Sequence, residues 1–272
     1  MKTIYENFLL KHFANVFEIP RHANTQCWAV ILDPRYDALF AAVCRNFMRI
    51  LSKYGWNLKV YTHSRFANDV VRDLPGAVFE PIQEKYLDRD AGTNMSIASY
   101  NNVMMDADFW RSIPGENILL FQTDCIMYKM FNEAFLQFDF IGANWFNPAD
   151  VDLLIGGING GCSFRKKQAM LDCLQYVSWE MIAKVRANQI KQHSVPAAAP
   201  EVSKRNEDVF YTHACEILQM ILPPPEIRTF FAVEADFNKD TCFYHGWNKD
   251  YQRNPQQIAD LLATTLRSAG LS

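Results

Sequence analysis

The sequence predicts an α/β fold in which helices flank a mostly parallel central sheet. The chain opens with an apolar run at residues 27–32, a helical stretch with one apolar face, and a second apolar run at residues 56–61. A later run at residues 118–121 consists of four apolar residues, which is typical of a strand covered on both faces. A strand–helix–strand opening of this kind favours parallel strands joined by a right-handed crossover, as in Rossmann-like nucleotide-binding proteins.

The other elements follow from hydrophobic periodicity and turn residues. We expect the N-terminal helix to pack on the rest of the chain, with a membrane-surface or dimer role as the alternative. No break in composition divides the chain, so we expect one domain over residues 1–272. The predicted elements are an N-terminal helix at 1–20, a helix ended by Gly55, a helix at 100–110, a strand at 138–145, a long helix at 168–185 and a C-terminal helix at 255–272.

Composition and charge exclude several classes of protein. The 272 residues carry a net charge of −3 with a pI near 6.1, whereas a dedicated nucleic-acid binder normally shows a basic excess or a basic stripe. The densest basic run, at 165–167, fits either a solvated helix start or a role in holding phosphate.

Cysteine usage and the N-terminus favour the cytoplasm. Seven cysteines make an odd number with no C-x-x-C pair, which fits reduced thiols better than a disulfide framework. The first residues lack the features of a signal peptide, and no run of about 18 apolar residues could anchor the chain in a membrane. We therefore predict a cytoplasmic protein without a transmembrane anchor.

Asp124 is the most informative single residue. It follows the buried strand at 118–121, and ligands of open α/β sheets gather beyond the carboxyl ends of such strands. An aspartate here can also be a turn former. The chain has neither G-x-G-x-x-G nor a P-loop, so any nucleotide must be bound by another device.

Further sequence blocks follow Asp124 in a fixed order. They read FQTD at 121–124, DFIGA-W at 139–145, NGG-S-R at 159–165, EDVF at 207–210 and H-x-W at 245–247. In this order the blocks resemble the GT-A class of nucleotide-sugar glycosyltransferases. The nearest resemblance is to a GT-A-type family long catalogued as a domain of unknown function. It covers roughly residues 28–247, and it rests on the order of the blocks rather than on any one of them.

The resemblance implies a GT-A-like fold and transfer of a sugar from a nucleoside-diphosphate sugar to a glycan or glycoside. Asp208 matches the base of inverting enzymes, and its position in the first turn of a helix should keep it ionised, although helix starts favour aspartate in any case. The usual D-x-D triplet is reduced to Gln122-Thr123-Asp124. Asp124 and His245 are therefore the expected ligands of a divalent ion, manganese or magnesium. Without a metal, a protonated His245 could meet the diphosphate.

The same resemblance assigns the binding residues. The segment at 156–165 is expected to join a flexible loop to a short strand, and its glycines at 156, 157, 160 and 161 let the backbone approach the donor sugar closely. The predicted nucleotide-sugar contacts are Asp33, Arg35, Thr62, His63, Ser64, Gln122, Thr123, Asn159, Gly160, Gly161, Arg165 and Lys249; the predicted acceptor contacts are Trp145, Glu207 and Trp247.

Two other functions fit the same blocks. A sugar nucleotidyltransferase shares the topology and the bound metal, but it normally carries a Gly-rich basic loop after its first strand, which is absent here. A catalytically silent nucleotide- or glycan-binding protein fits the incomplete D-x-D.

Overall fold

A computed structural model of the protein describes residues 3–88, 94–145, 157–193, 206–234, 238–246 and 254–271. The strands are β1 Cys27–Leu32, β2 Asn57–Thr62, β3 Val78–Pro81, β4 Asn117–Phe121, β5 Cys125–Met127, β6 Phe140–Asn144, β7 Ile158–Lys166, β8 Ala232–Val233 and β9 Phe243–His245. The α-helices are α1 Ile4–His12, α2 Ala38–Leu51, α3 Ala67–Asp73, α4 Ile97–Met104, α5 Ala107–Ser112, α6 Lys167–Tyr176, α7 Trp179–His193, α8 Glu207–Ile217, α9 Pro225–Phe231 and α10 Pro255–Ala269.

The central sheet has six strands in the order β3-β2-β1-β4-β7-β6. Strands β3, β2, β1 and β4 are parallel to one another, and β7 runs antiparallel to both of its neighbours, β4 and β6. The predicted α/β class with a mostly parallel central sheet flanked by helices is confirmed. Because β1 and β4 are adjacent and parallel, their carboxyl ends meet at one edge of the sheet.

Apolar side chains cover both faces of the sheet. Along β4, Leu119 and Phe121 join the cluster that α2 covers, whereas Ile118 and Leu120 join a second cluster on the opposite face. The ring of Phe47 in α2 stacks on Phe121 with centroids 3.9 Å apart. This two-sided burial explains why the strand reads as a continuous apolar run.

A second, three-stranded sheet has the order β5-β9-β8. Its strand β5 begins four residues after β4 ends, and it pairs antiparallel with β9, Cys125 opposite His245. A late segment of the chain is thereby placed beside the carboxyl end of β4.

Two predicted helices are each divided in two. The prediction of one helix at 168–185 is wrong, because the backbone is extended at Val177 (φ −119°, ψ 137°), which separates α6 from α7. Val177 is buried, and the hydroxyl of Ser178 accepts a hydrogen bond from the backbone of Met181, so α7 starts anew. The predicted helix at 100–110 is likewise divided into α4 and α5, since the carboxylate of Asp106 caps the start of α5.

The N-terminal helix is shorter than predicted. It ends at His12 rather than near residue 20, because Arg45 of α2 donates to the backbone oxygens of Phe13 and Ala14, at 3.0 and 2.8 Å. These carbonyls would otherwise be satisfied by further helical turns. The expected packing of α1 on the rest of the chain is confirmed, and the ring of Tyr5 lies edge-on to that of Tyr244, with centroids 5.3 Å apart. The predicted C-terminal helix is present as α10.

The short strand predicted in the glycine-rich segment is confirmed, but it begins already at Ile158 and so includes residues that were expected to form a flexible loop. Residues 158–166 form β7, which is hydrogen-bonded to strands on both sides, and Gly156 lies outside the described residues. Since β4 ends opposite Cys162, the first four residues of β7 run on past the end of β4. Within the described residues, no helix combines the length and apolarity needed to cross a membrane.

Candidate active site

A cavity of about 800 Å³ lies at the carboxyl ends of β1 and β4. Segments that are far apart in sequence meet there: the turns after β1 and β4, the start of β7, the start of α8 and the end of β9. Of the predicted site residues, those that line the cavity are Asp33, Arg35, Gln122, Thr123, Asp124, Asn159, Gly161, Glu207, Asp208 and His245.

Asp124 and His245 lie side by side in this cavity. The carboxylate Oδ1 of Asp124 is 3.5 Å from Nε2 of His245. The pairing of β5 with β9 produces this proximity, because Cys125 lies opposite His245 and the backbone N–H of Gly246 donates to the carbonyl of Asp124 at 3.0 Å. Two side chains that are 121 positions apart in the sequence therefore face one point.

Gly161 makes room for the imidazole of His245. A Cβ at this position would lie 2.2 Å from Nε2 and 2.3 Å from Cε1 of the ring, so any side chain here would force the ring or the strand to shift. The ring is thus packed on bare backbone, while Oε1 of Gln122 lies 3.2 Å from Nε2 on another side. The side chain of His245 is only 7% exposed, so its position is fixed by these contacts.

The donor atoms around Nε2 fit a hard divalent cation. Asp124, Cys125 and His245 each offer a ligand atom within 4.8 Å of the others. Burial raises the pKa of the Cys125 thiol well above its ordinary value, and its Sγ donates to the carbonyl of Gly161, so Cys125 stays a neutral thiol. Carboxylate oxygen, imidazole nitrogen and the amide oxygen of Gln122 remain, and manganese and magnesium accept such ligands.

A carboxylate, that of Glu234, lies on the far side of the ring. Oε1 of Glu234 lies 3.9 Å from Nδ1 of His245, and its Oε2 accepts a hydrogen bond from Asn159 at 3.1 Å. At 3.9 Å the carboxylate oxygen and the ring nitrogen are too far apart for a hydrogen bond, so Glu234 lies next to the ring without bonding to it. Asn159, predicted to contact a sugar hydroxyl, also accepts a bond from the backbone of Gly161 at 2.8 Å.

Asp208 reaches the cavity from the first turn of α8. Its Oδ2 accepts from the backbone N–H of Gly160 at 3.2 Å, and its Oδ1 accepts from Val209 at 2.9 Å. Burial, and next the charge of Glu207, raise the pKa of Asp208 to about 7. Burial therefore opposes the ionisation that the helix dipole was expected to favour, and it outweighs the two backbone hydrogen bonds.

Arg165 and Glu207 form a buried ion pair beside Asp208. The guanidinium donates to Oε2 of Glu207 at 2.7 Å and to Oε1 at 3.1 Å, and Arg165 is 0% exposed. Arg165, the first residue of the basic run at 165–167, is therefore not part of a solvated helix start. Arg165 lies behind the cavity wall, and both carboxylate oxygens of Glu207 are taken up by the guanidinium.

Asp33 and Arg35 follow β1 on the other side of the cavity. Asp33 accepts from Nε and Nη2 of Arg35, at 3.0 and 2.8 Å, and these bonds are the leading cause that raises the pKa of the guanidinium. The side chain of Arg35 is 68% exposed, so its remaining donors are free to meet a ligand.

The other predicted residues lie elsewhere. Neither Thr62, His63 nor Ser64 lines the cavity: Thr62 is buried, Nδ1 of His63 accepts from the backbone of Arg65 at the start of a short 3₁₀ helix, and Ser64 is exposed. The backbone N–H of Trp145 donates to the carbonyl of Gly157, and this indole is not part of the cavity wall. Trp247 and Lys249 lie outside the described residues.

Several cavity residues had no sequence signal. Glu6 of α1 lines the cavity, although its spacing indicated only an amphipathic helix. The start of α4 forms another wall, with Asn94, Ser96, Tyr100 and Asn101. Oδ1 of Asn101 accepts from the backbone N–H of Glu207 at 3.2 Å, so α4 caps the helix that carries Asp208. A partner on a distant helix cannot be recognised from sequence spacing.

A family model matches residues 82–247, which is more than half of the chain. The chain therefore belongs to the family described as "Protein of unknown function (DUF5672)".

The solved structures include glycosyltransferases that are similar to this chain. The galactosyltransferase LgtC in complex with donor and acceptor sugar analogs is 10% identical, with a TM-score of 0.49 over 89% of this chain and 95% of that one. An active-site mutant of LgtC is 10% identical, with a TM-score of 0.48 over 89% and 99%. Mouse xyloside xylosyltransferase 1 in its apo form is 11% identical, with a TM-score of 0.45 over 81% and 97%. No curated protein matches the sequence. At this level of similarity, residue roles and chemistry must be argued from the chain's own site.

Proposed function

We propose that the chain is a glycosyltransferase that moves a sugar from a nucleoside-diphosphate sugar to a hydroxyl of a glycan or glycoside, with inversion and with Asp208 as the base. One observation carries the proposal: the carboxylate of Asp208, which accepts from the N–H of Gly160, faces the same cavity as the Asp124–His245 pair. The order of the sequence blocks around these residues supports the same chemistry.

Asp208 has the proton affinity that a general base needs. A base works best when its pKa lies near the working pH, because it must be ionised and still attract a proton strongly. An exposed aspartate, with a pKa near 4, would accept the proton of an attacking hydroxyl only weakly. Asp208 is half ionised near pH 7, and the N–H of Gly160 fixes one of its oxygens while the carboxylate borders the cavity.

The charge of the cavity explains why a cation is required with the donor. Among the described residues, five carboxylates line the cavity; Glu207 is paired with Arg165 and Asp33 with Arg35, which leaves Glu6, Asp124 and the half-ionised Asp208 without a cationic arginine or lysine partner. A diphosphate would be repelled by this surplus of negative charge. A divalent ion held by Asp124 and His245 neutralises the diphosphate oxygens and so favours departure of the leaving group. With a single carboxylate ligand, the protein alone should bind such an ion weakly, and donor and ion should bind together.

The two sides of the cavity suggest a division between donor and acceptor. Asp33 and Arg35 follow β1, where the nucleotide is expected at the carboxyl edge of the sheet. The wall at the start of α4 offers Asn94, Ser96 and Asn101, whose amide and hydroxyl groups suit the hydroxyls of a sugar acceptor. Asp208 lies beside this wall, because Asn101 caps its helix.

Donor binding and donor hydrolysis test the proposal. Thermal unfolding is measured with a panel of nucleoside-diphosphate sugars, each with and without manganese. A true donor present at 100 times its dissociation constant adds about 2.7 kcal/mol to the folded state and should raise the melting temperature by roughly 5 °C, only with the ion. The stabilising donor should then be hydrolysed slowly to free sugar and nucleoside diphosphate.

The same measurements separate the alternatives. Stabilisation without hydrolysis, or without transfer to any acceptor, indicates a silent binding protein. Release of pyrophosphate from a nucleoside triphosphate and a sugar phosphate indicates a nucleotidyltransferase. Equal activity in excess chelator contradicts the role assigned to the ion.

A further inference from the structure

The buried ion pair of Arg165 and Glu207 calls for an explanation. Both side chains are almost fully buried, at 0% and 4% exposure, and the rings of Trp110, Phe140 and Tyr211 surround the guanidinium at 4.7 to 5.6 Å. Two charges taken out of water are stable only when the geometry is good, and an apolar pair of similar volume often stabilises a fold equally well. Stability alone therefore does not account for the pair.

The guanidinium of Arg165 also holds the backbone on which Asp208 rests. Its Nη2 lies 3.4 Å from the carbonyl of Gly160, and its Nε donates to Ser163, whose hydroxyl donates to the same carbonyl at 3.0 Å. The N–H of Gly160 then donates to Asp208. Arg165 thus binds Glu207, which precedes Asp208 in the chain, and Gly160, whose N–H donates to Asp208.

The side chains of Arg165, Glu207 and Asp208 pack directly against the backbone of Gly160. A Cβ at this position would lie 2.2 Å from Oε1 of Glu207, 2.6 Å from Nη2 of Arg165 and 3.1 Å from Cβ of Asp208. The three side chains therefore pack on the same stretch of bare backbone. A shift of any one of them moves the others.

We infer that Arg165 and Glu207 are positioning residues for Asp208, which hold its carboxylate on Gly160 at the cavity wall and contact neither donor nor acceptor. This inference rests on the proposed role of Asp208 as the base. It replaces the nucleotide and acceptor contacts that the sequence predicted for the two residues.

The pair also adjusts the charge around Asp208. In the part of the chain that the structure describes, the charged and titratable groups that face this carboxylate are Glu207 on its own helix, Arg165 on β7 and Tyr100 on α4. The negative charge of Glu207 raises the pKa of Asp208, and the positive charge of Arg165 lowers it by less. Neutralising Glu207 should therefore lower the pKa of Asp208.

The main test is a carbon-13 NMR titration of the carboxyl groups in Glu207→Gln. The signal of Asp208 is identified by its absence in Asp208→Asn. Glu207→Gln keeps the shape and one acceptor for Arg165, and we expect the pKa of Asp208 to fall by about one unit or more. The matched control is Glu216→Gln, the same exchange at the other end of α8, where the carboxylate faces His213. It should leave the titration of Asp208 unchanged.

An unchanged pKa of Asp208 in Glu207→Gln overturns the inference. If this variant does not fold, the double exchange Arg165→Met with Glu207→Leu replaces the pair by apolar residues of similar size. The pKa should shift there too, because both charges beside Asp208 are removed and Arg165 no longer holds the carbonyl of Gly160. A folded double variant with the titration of the original protein also overturns it.

Kinetics of Arg165→Lys distinguish positioning from donor binding. Lysine keeps the charge but loses the two-pronged geometry, so kcat for transfer should fall about tenfold or more with an unchanged donor dissociation constant. Weaker donor binding at an unchanged kcat would make Arg165 a ligand of the donor and contradict the inference. The NMR titration needs no turnover. A protein that hydrolyses no donor but shows the shift in Glu207→Gln therefore refutes the proposed function and leaves the network intact.

Discussion

Replacement of Gly161 by alanine should displace His245 and uncouple it from Asp124. The new Cβ would lie 2.2 Å from Nε2, whereas ordinary contacts begin near 3.4 Å, so the ring or β7 must move. The required movement is about 1 Å, and a misplacement of that size in an active site costs about 10²-fold in rate. The side chain of His245 has little freedom to turn away, because it is 7% exposed and held between Gln122 and Glu234.

The assay is manganese-dependent hydrolysis of the donor. We expect kcat/KM to fall about 10²-fold in Gly161→Ala. The manganese concentration for half-maximal activity should rise roughly 10–100-fold, as for other changes that misplace a metal ligand. The melting temperature reports the separate effect of the substitution on folding.

Gly115→Ala is the matched control. It meets comparable crowding, with a Cβ 2.3 Å from Cδ1 of Trp28, but it lies just before β4 at the opposite edge of the sheet. It should reduce stability while the activity per folded molecule and the manganese dependence stay normal. Normal manganese dependence in Gly161→Ala, or the same change in Gly115→Ala, would refute the argument.

Three further predictions concern the carboxylates. Asp208→Asn should reduce kcat by about 10²–10⁴ with little change in the donor dissociation constant, and NMR should show a product whose anomeric configuration is opposite to that of the donor; retention of configuration would contradict this scheme. Asp124→Asn should abolish turnover and leave the melting temperature nearly unchanged. Stability should be kept because the side chain is 30% exposed and the backbone carbonyl, not the carboxylate, accepts the hydrogen bond from Gly246. A large loss of stability with normal activity per folded molecule would instead make Asp124 structural. Since the pKa of Asp208 is raised from 3.8 to about 7, the folded state binds more protons than the unfolded state between these pH values. The contribution of Asp208 to the free energy of unfolding should therefore decline by at most about 4 kcal/mol as pH rises from about 4 to 7. Urea unfolding over this range should show a smaller decline in Asp208→Asn, and identical pH profiles of the two proteins would disprove the shift.

The elements that depend on short stretches of sequence could be predicted. The buried strands β1 and β4 and the helix α2 between β1 and β2 were readable from apolar runs and from the end signal at Gly55, whose φ of +80° is left-handed. Asp124 could be placed at the cavity because a strand end fixes its position relative to the sheet. A short strand was predicted in the glycine-rich segment, but its full length and its antiparallel place between β4 and β6 were not, because these depend on pairing with strands that are distant in the sequence.

The roles of Arg165 and Glu207 could not be predicted either. Each residue matches a block that suggests ligand contact, and a charged side chain is normally expected at the surface. Their burial follows from the aromatic enclosure, which brings together residues from α5, β6 and α8. Likewise, the pKa of Asp208 depends on desolvation by distant segments, whereas the sequence shows only its place in a helical turn.

The bare backbone at Gly160 and Gly161 has a consequence for how this site can change. Both glycines face functional side chains at distances that admit no Cβ, so in a library of variants each position should accept glycine alone. The wall at Asn94 and Ile97 carries no such restriction, because these side chains are exposed. Selection for a new acceptor should therefore accumulate substitutions along the start of α4 and leave the glycines untouched. The chemistry and the choice of substrate can thus diverge independently on one scaffold.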